Sequence, residues 1–262
     1  MDQALKQAFK DDGVVVVRGL FKDWIKPLQK AVEYNLKHGG PFFKNYTPEA
    51  SAGRFIGDYC NWPNNPGYKD FIEHSPAAAL AKFLMGSSCA RIFHEHLLVK
   101  EAGNNKPSPW HHDEPYYCAS AEQTVSLWLP LDPVARDSSL EFVKGSHRWG
   151  TLFRPRRFTG VDYEHASDLC PMPDIDGARE QYEILGWALE PGDAIAFDHL
   201  SVHGAPGNRS NSCARRVLST RWLGDNAHYV ERGGETSPPY PHLVGLLKTG
   251  DALPDAEFPV IA

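Results

Sequence analysis

Ala90-Arg91-Ile92-Phe93-His94-Glu95-His96-Leu97-Leu98-Val99-Lys100-Glu101 marks the point at which the character of the chain changes. Before it, apolar residues recur at helical spacing. After it, short apolar runs alternate with Gly and Pro turns, the pattern of a strand-rich fold. Upstream, Ala4, Leu5, Ala8 and Phe9 predict a helix over 3–10, ended by Asp11-Asp12-Gly13. Val14-Val15-Val16-Val17 predicts a short buried strand. Further helices are predicted over 24–36, closed by His38-Gly39-Gly40, and over 75–85, with Pro76 in its first turn. Downstream, strands are predicted over 90–101, 111–117, 124–131, 140–143, 192–197, 200–203 and 216–223. This order gives a mainly β jelly roll or barrel behind an N-terminal helical flank.

Three segments escape the pattern. Residues 41–67 hold Phe42, Phe43, Tyr46, Tyr59 and Trp62 among Gly, Asn and Pro. Such a loop either covers a site or is a surface loop pinned by its own aromatics. Residues 149–182, rich in Arg, Asp and Pro, are expected to be an insertion between strands, and the Pro-rich tail from 233 is expected to be irregular. With no internal repeat or linker, residues 1–262 are expected to form a single domain.

Composition narrows the function. The 262 residues include 42% hydrophobic residues, enough for an ordinary core, and carry a net charge of −6. That charge gives no reason to expect a nucleic-acid partner or an anionic membrane surface. No run approaches a membrane span, and the first ten residues lack the apolar centre of a signal peptide. Five scattered cysteines without a Cys-x-x-Cys pair argue against a disulfide framework or a zinc-thiolate site. A soluble, cytoplasmic protein is expected.

The chemistry concentrates at Pro109-Trp110-His111-His112-Asp113. In an extended strand, His111 and Asp113 would share a face and offer a metal one nitrogen and one oxygen. The third ligand has its best candidate in His203. Two His and one carboxylate, with open positions opposite, is the ligand set of non-haem Fe(II) oxygenases. Arg215, twelve residues beyond His203, could hold the far carboxylate of an iron-chelating keto-dicarboxylate. Singly, each residue has an ordinary structural explanation; jointly they favour the metal site. His112 should face away and be structural. His94 and His96 form a second i, i+2 pair that nothing completes, His147 and His199 read as turn or packing residues, and Asn208 is expected to order the turn after His203.

Several motifs in this order resemble the phytanoyl-CoA dioxygenase-like family of Fe(II)/2-oxoglutarate oxygenases. They are Phe9-Lys10-Asp11-Asp12-Gly13-Val14, Trp110-His111-His112-Asp113, Leu127-Trp128-Leu129-Pro130-Leu131-Asp132, Leu140-Glu141-Phe142-Val143-Lys144-Gly145-Ser146-His147, Glu190-Pro191-Gly192-Asp193, His203-Gly204-Ala205-Pro206-Gly207-Asn208 and Arg215-Arg216. The resemblance implies a double-stranded β-helix (cupin-like jelly roll). It implies Fe(II) bound by His111, Asp113 and His203, with 2-oxoglutarate and O2 as co-substrates and succinate and CO2 as products. It places Arg215 at the distal carboxylate, with Lys100 and Trp128 nearby. Because Asp113 stands where halogenating relatives have a small residue, hydroxylation or a related oxidation is expected.

Substrate candidates are Asn45, Tyr46, Arg54, Tyr59 and Trp62 from the aromatic loop, Tyr116 and Tyr117 beyond the metal, and Arg156 from the Arg154-Pro155-Arg156-Arg157 cluster. That cluster either meets an anionic group or forms a solvated face. The mixture suits a small or medium polar molecule better than a long fatty chain. Two other readings compete: a zinc-dependent hydrolase on the same ligands, in which Arg215 has no job, and a catalytically silent ligand-binding jelly roll, which does not need the three ligands together.

Overall fold

The structure, a computed structural model, describes residues 1–47, 53–157, 161–163 and 166–262. In chain order its elements are α1 (Gln3–Asp12), β1 (Val14–Val17), α2 (Ile25–His38), β2 (Lys44–Asn45), β3 (Phe55–Tyr59), α3 (Pro66–His74) and α4 (Ala77–Met85). Then follow β4 (Arg91–Lys100), β5 (Ser108–His111), β6 (Ala119–Ser120), β7 (Thr124–Pro130), β8 (Glu141–Val143) and β9 (Ile184–Leu185). β10 (Ala194–Phe197), β11 (His203–Ala205), β12 (Arg215–Leu223) and β13 (His228–Tyr229) complete the set. A seven-stranded sheet runs β1-β10-β7-β12-β4-β3-β2, and a four-stranded sheet runs β5-β11-β8-β9. β6 and β13 pair separately. The strand-to-strand pairing is antiparallel in both sheets.

Period-2 alternation assigns each residue of the large sheet to one of two cores. Val15, Val17, Leu97, Val99, Leu127, Leu129 and Leu218 face the helices. Val14, Trp128, Ile195, Phe197 and Val217 face the small sheet, where they meet Phe142 and Ala205. The run of four valines is thus packed on both faces, as an unbroken apolar strand should be. α1 ends where Gly13 takes the left-handed conformation (φ 79°) and its N–H bonds to the carbonyl of Phe9, which turns the chain into β1. On β4 and β12 the same alternation turns His94, His96, Leu98 and Lys100, with Arg215, Ser219 and Arg221, toward the small sheet.

Several expected elements differ. The segment 41–67 is not wholly irregular, because β2 and β3 add two strands to the edge of the large sheet within it; its residues 48–52 lie outside those described. α3 was not predicted, although Asn65 caps Gly67 and Tyr68 and Pro66 opens the first turn. The strand expected over 111–117 ends at His111, since Pro115 has no N–H for a ladder, and Glu114–Tyr116 form a 3-10 turn. The strand expected over 200–203 begins only at His203. The connection 149–182 is a long loop between β8 and β9, with 158–160 and 164–165 outside the described residues. The tail beyond β13 has no strand or helix, yet Tyr240, Leu243, Leu253 and Phe258 are buried in a third cluster. Among the described residues, no helix is long and apolar enough to cross a membrane.

Candidate active site

His111 ends β5 and His203 begins β11, and the two are direct cross-strand partners. Asp113 reaches them by a route other than face-sharing on a strand. The chain leaves β5 after His111, and the Asp113 N–H bonds to the carbonyl of His199 at 2.8 Å, with helical backbone angles. This turn carries the carboxylate back beneath the two rings. One ligand atom from each of the three residues lies within 4.8 Å of the others. Asp113 Oδ1 is 3.7 Å from His111 Nε2 and 3.9 Å from His203 Nε2.

The protonation of the cluster suits a divalent cation. His111 Nδ1 bonds to the carbonyl of Pro109 at 2.7 Å, and His203 Nδ1 to that of Ser201 at 2.9 Å. A carbonyl only accepts, so each Nδ1 must carry the proton, and each Nε2 presents its lone pair to the centre. Burial keeps both rings neutral, lowering His203 to about 3 and His111 below the usual imidazole value. Burial works against the charge on Asp113, but the neighbouring Arg221 cation leads the opposing influences, and the carboxyl lies well below its ordinary value. Two neutral nitrogens and one carboxylate oxygen on one side of an open space fit an Fe(II) ion.

The open space is a cavity of about 240 Å3 between the sheets. Of its lining residues, Trp128, Leu98, Leu140 and Phe197 pack in one cluster, while Tyr59 meets His94 and His96, and Tyr117 meets His94. Beside the first group, the buried Arg215 guanidinium lies 5.9 Å from the Trp128 ring and donates to the carbonyl of Ser138. Burial lowers it to about 10, so it stays a cation, and among the described residues no carboxylate pairs with it. Lys100, the register partner of Arg215, is also buried, but its ammonium is committed to the carbonyls of Lys106 (2.7 Å) and Pro206 (3.4 Å) and to Ser108 Oγ (3.3 Å). It therefore organises the loops behind the cavity. Asn208 does similar work, donating to the carbonyls of Lys100, Glu101 and Cys213.

The substrate candidates divide. Tyr46, Tyr59, Tyr116, Tyr117 and Arg156 line the cavity. Asn45, Arg54 and Trp62 do not. Asn45 caps Thr47, Arg54 forms an exposed ion pair with Glu101 at 2.6 Å, and Trp62 belongs to the helix-facing core. Tyr116 is already engaged. Its hydroxyl donates to the Arg156 carbonyl and accepts the Arg156 N–H, both at 2.7 Å. His112 faces away from the metal cluster, as expected, and its Nε2 accepts the Phe153 N–H at 2.9 Å. The arginine cluster is partly neutralised: Arg154 and Arg156 share Asp162, and Arg157 pairs with Glu235. The sequence reading missed Arg221. Its signal was a lone cation in Val217-Leu218-Ser219-Thr220-Arg221-Trp222-Leu223, which the β12 register places in the middle of the large sheet.

The family model for phytanoyl-CoA dioxygenase matches residues 9–217, most of the chain and all three ligands. The chain belongs to the phytanoyl-CoA dioxygenase family. Its enzyme class is accordingly that of an Fe(II)- and 2-oxoglutarate-dependent oxygenase. A curated relative, dioxygenase cdmD of Talaromyces verruculosus, is 25% identical over 241 residues, spanning 80% of this chain and 70% of that protein. The epimerase SnoN of nogalamycin biosynthesis shares the fold, with a TM-score of 0.78, 21% identity and coverage of 99% of this chain and 98% of that one. SnoN has also been solved with Fe3+, alpha ketoglutarate and nogalamycin RO. EctD from S. alaskensis, solved with 2-oxoglutarate and 5-hydroxyectoine, has a TM-score of 0.70 and 19% identity, covering 92% of this chain and 82% of that one. Phytanoyl-CoA dioxygenase-type architecture therefore accounts for both sheets and for the position of the cluster between them.

Proposed function

We propose that this phytanoyl-CoA dioxygenase family member is a single-domain hydroxylase of a small or medium polar molecule. The observation that carries the reading is the pairing of the His111-Asp113-His203 cluster with a buried, carboxylate-free guanidinium, Arg215, beside the same cavity. When bound, Fe(II) and 2-oxoglutarate activate O2 and supply the oxidant that attacks a C–H bond, leaving succinate and CO2. The chain's own residues do the rest. His111, Asp113 and His203 hold the metal, and Arg215 takes the distal carboxylate as a two-pronged donor. Trp128 closes that part of the cavity against water.

The substrate enters beside the other group of lining residues. Tyr46, Tyr59, His94, His96 and Arg156 give it aromatic faces and hydrogen-bonding edges. His96 stands edge-on to Tyr59, with ring centroids 5.2 Å apart. Gly57 on β3 makes room for this wall, since a Cβ there would lie 2.6 Å from the Tyr46 ring. With Arg156 and Arg157 already paired, the mouth is a mixed polar surface, which favours a polar ring or a zwitterion over a polyanion or a fatty chain. EctD and SnoN, two proteins of this fold, have been solved with small molecules, 5-hydroxyectoine and nogalamycin RO, in keeping with a small-molecule substrate.

The test is to add Fe(II) and 2-oxoglutarate to metal-free protein without oxygen and record the visible charge-transfer band. Succinate release is then screened against hydroxylated and zwitterionic small molecules. A band with substrate-dependent succinate supports the reading; absence of the band in folded protein overturns it. Arg156→Ala addresses the mouth: loss of turnover with unchanged 2-oxoglutarate affinity assigns it to the substrate, and full activity removes it from the list.

A further inference from the structure

The two oxygens of Asp113 have different neighbours. Oδ1 faces the Nε2 atoms of both histidines. Oδ2 accepts a hydrogen bond from Ser126 Oγ at 3.1 Å and lies 3.7 Å from Arg221 Nε. Arg221 is itself fixed, donating to Tyr117 Oη at 3.0 Å and to the Ser219 carbonyl at 3.1 Å. It is buried in the middle of the large sheet, and among the described residues Asp113 is its one carboxylate within ion-pair distance.

From this arrangement we infer that Arg221, with Ser126, is a positioning residue that restricts Asp113 to one-oxygen ligation and so keeps the coordination positions opposite the protein ligands free. Three protein atoms leave three positions on a six-coordinate ion. A keto acid held through two oxygens would take two of them, and O2 would require the third. If Asp113 turned Oδ2 inward it would fill one of these, and it would also strand the Arg221 cation in the protein interior. The guanidinium opposes that turn from a strand that carries no metal ligand. This inference rests on the Fe(II)/2-oxoglutarate reading and assigns a role to a residue that lines the same cavity but acts through Asp113.

The experiment compares wild type, Arg221→Gln, Arg221→Lys and Ser126→Ala. Co(II) binding and its visible absorption are read first, because the intensity reports coordination number. Anaerobic 2-oxoglutarate titration of the Fe(II) protein follows. Arg221→Gln is expected to retain metal but to bind 2-oxoglutarate at least about 10-fold more weakly, a loss of about 1.4 kcal/mol. Its Co(II) absorption should change before any 2-oxoglutarate is added. Arg221→Lys, which keeps the charge, should recover part of both, and Ser126→Ala should show a smaller effect of the same kind. Metal and 2-oxoglutarate affinities falling together, with unchanged Co(II) absorption, would reduce Arg221 to a structural role and overturn the inference. If Arg221→Gln does not fold, wild-type behaviour in both Arg221→Lys and Ser126→Ala overturns it equally. Wild type that takes up Co(II) but not 2-oxoglutarate is a separate failure, that of the underlying reading.

Discussion

His111 and His203 lie directly opposite each other on β5 and β11, with ring centroids 4.2 Å apart, although far apart in the sequence. The metal site is therefore a product of strand pairing in the small sheet. The His203 ring makes one hydrogen bond, to the Ser201 carbonyl, and packs on Phe142 and Phe197, so its loss should cost some stability while the strands that carry it keep their pairing. His203→Ala is expected to lose stoichiometric iron, with affinity down by more than about 100-fold, beyond the effect of outer-partner changes. Metal analysis beside a circular-dichroism spectrum checks this. Full iron content in the variant would contradict it.

Arg215 should separate stability from co-substrate affinity. Charge-assisted hydrogen bonds contribute about 1.5–3 kcal/mol, so Arg215→Met should weaken 2-oxoglutarate binding by about 10- to 100-fold. Without 2-oxoglutarate, the same change removes a buried cation that has no carboxylate, and Tm should hold or rise. Melting curves with and without 2-oxoglutarate give both numbers. A lower Tm together with unchanged binding would refute the assignment.

Lys100 should leave a signature in the pH dependence of stability. Burial, with Arg215 and Lys106 adding to it, pushes the ammonium down to about 6 from its ordinary 10.5. Between these values the unfolded chain holds a proton that the folded chain lacks, so stability attributable to this group rises with pH. The penalty is complete below about 6 and vanishes above 10.5. Lys100→Met also loses the bonds to Lys106 and Pro206, but that cost does not vary with pH. Relative to wild type, the variant should therefore gain most at pH 6 and lose this advantage toward pH 10, as read from denaturant midpoints across the range. A flat difference would show that Lys100 stays charged in the folded protein.

Asn208 holds three carbonyls with one amide, next to the Arg215–Lys100 pair. Leaving buried acceptors unpaired costs about 1–3 kcal/mol, so Asn208→Ala should be destabilised by that amount in urea titration. The 2-oxoglutarate affinity should fall with it, since the Lys100 carbonyl and the entry to β12 lose their brace. A neutral effect on both would show that water replaces the amide.

The ligand set was legible because His111, Asp113 and His203 occur with Arg215 at a fixed spacing, whatever the local backbone does. The reason given by the sequence was only partly right: Asp113 joins His111 through a turn tied to His199, since Pro115 ends the strand. β3 was hidden because Phe55-Ile56-Gly57-Asp58-Tyr59 has a glycine at its centre and a buried Asp58 whose partners, Asn35 and Gly40, lie on α2 and in the loop after it. α3 could have been found from Asn65-Pro66. The cavity walls were legible only in part: Tyr46, Tyr59, Tyr116, Tyr117 and Arg156 line it, but His94, His96 and Glu235 join them through tertiary packing that no local period records.

Between residues 111 and 116 the chain alternates its duties. His111 and Asp113 turn to the metal cluster, while His112 and Tyr116 tie down Phe153 and Arg156 of the long connection between β8 and β9. A cover on an independent hinge could swing while the ligands stayed put. Here Phe153 and Arg156 are bonded to the residues that flank Asp113, so a displacement of either would be felt at the His-x-Asp pair. For protein engineering this means that the connection is not a free cassette. Transplanting it from a relative to change substrate choice would require carrying over the partners of His112 and Tyr116, or metal retention would be lost along with the old specificity.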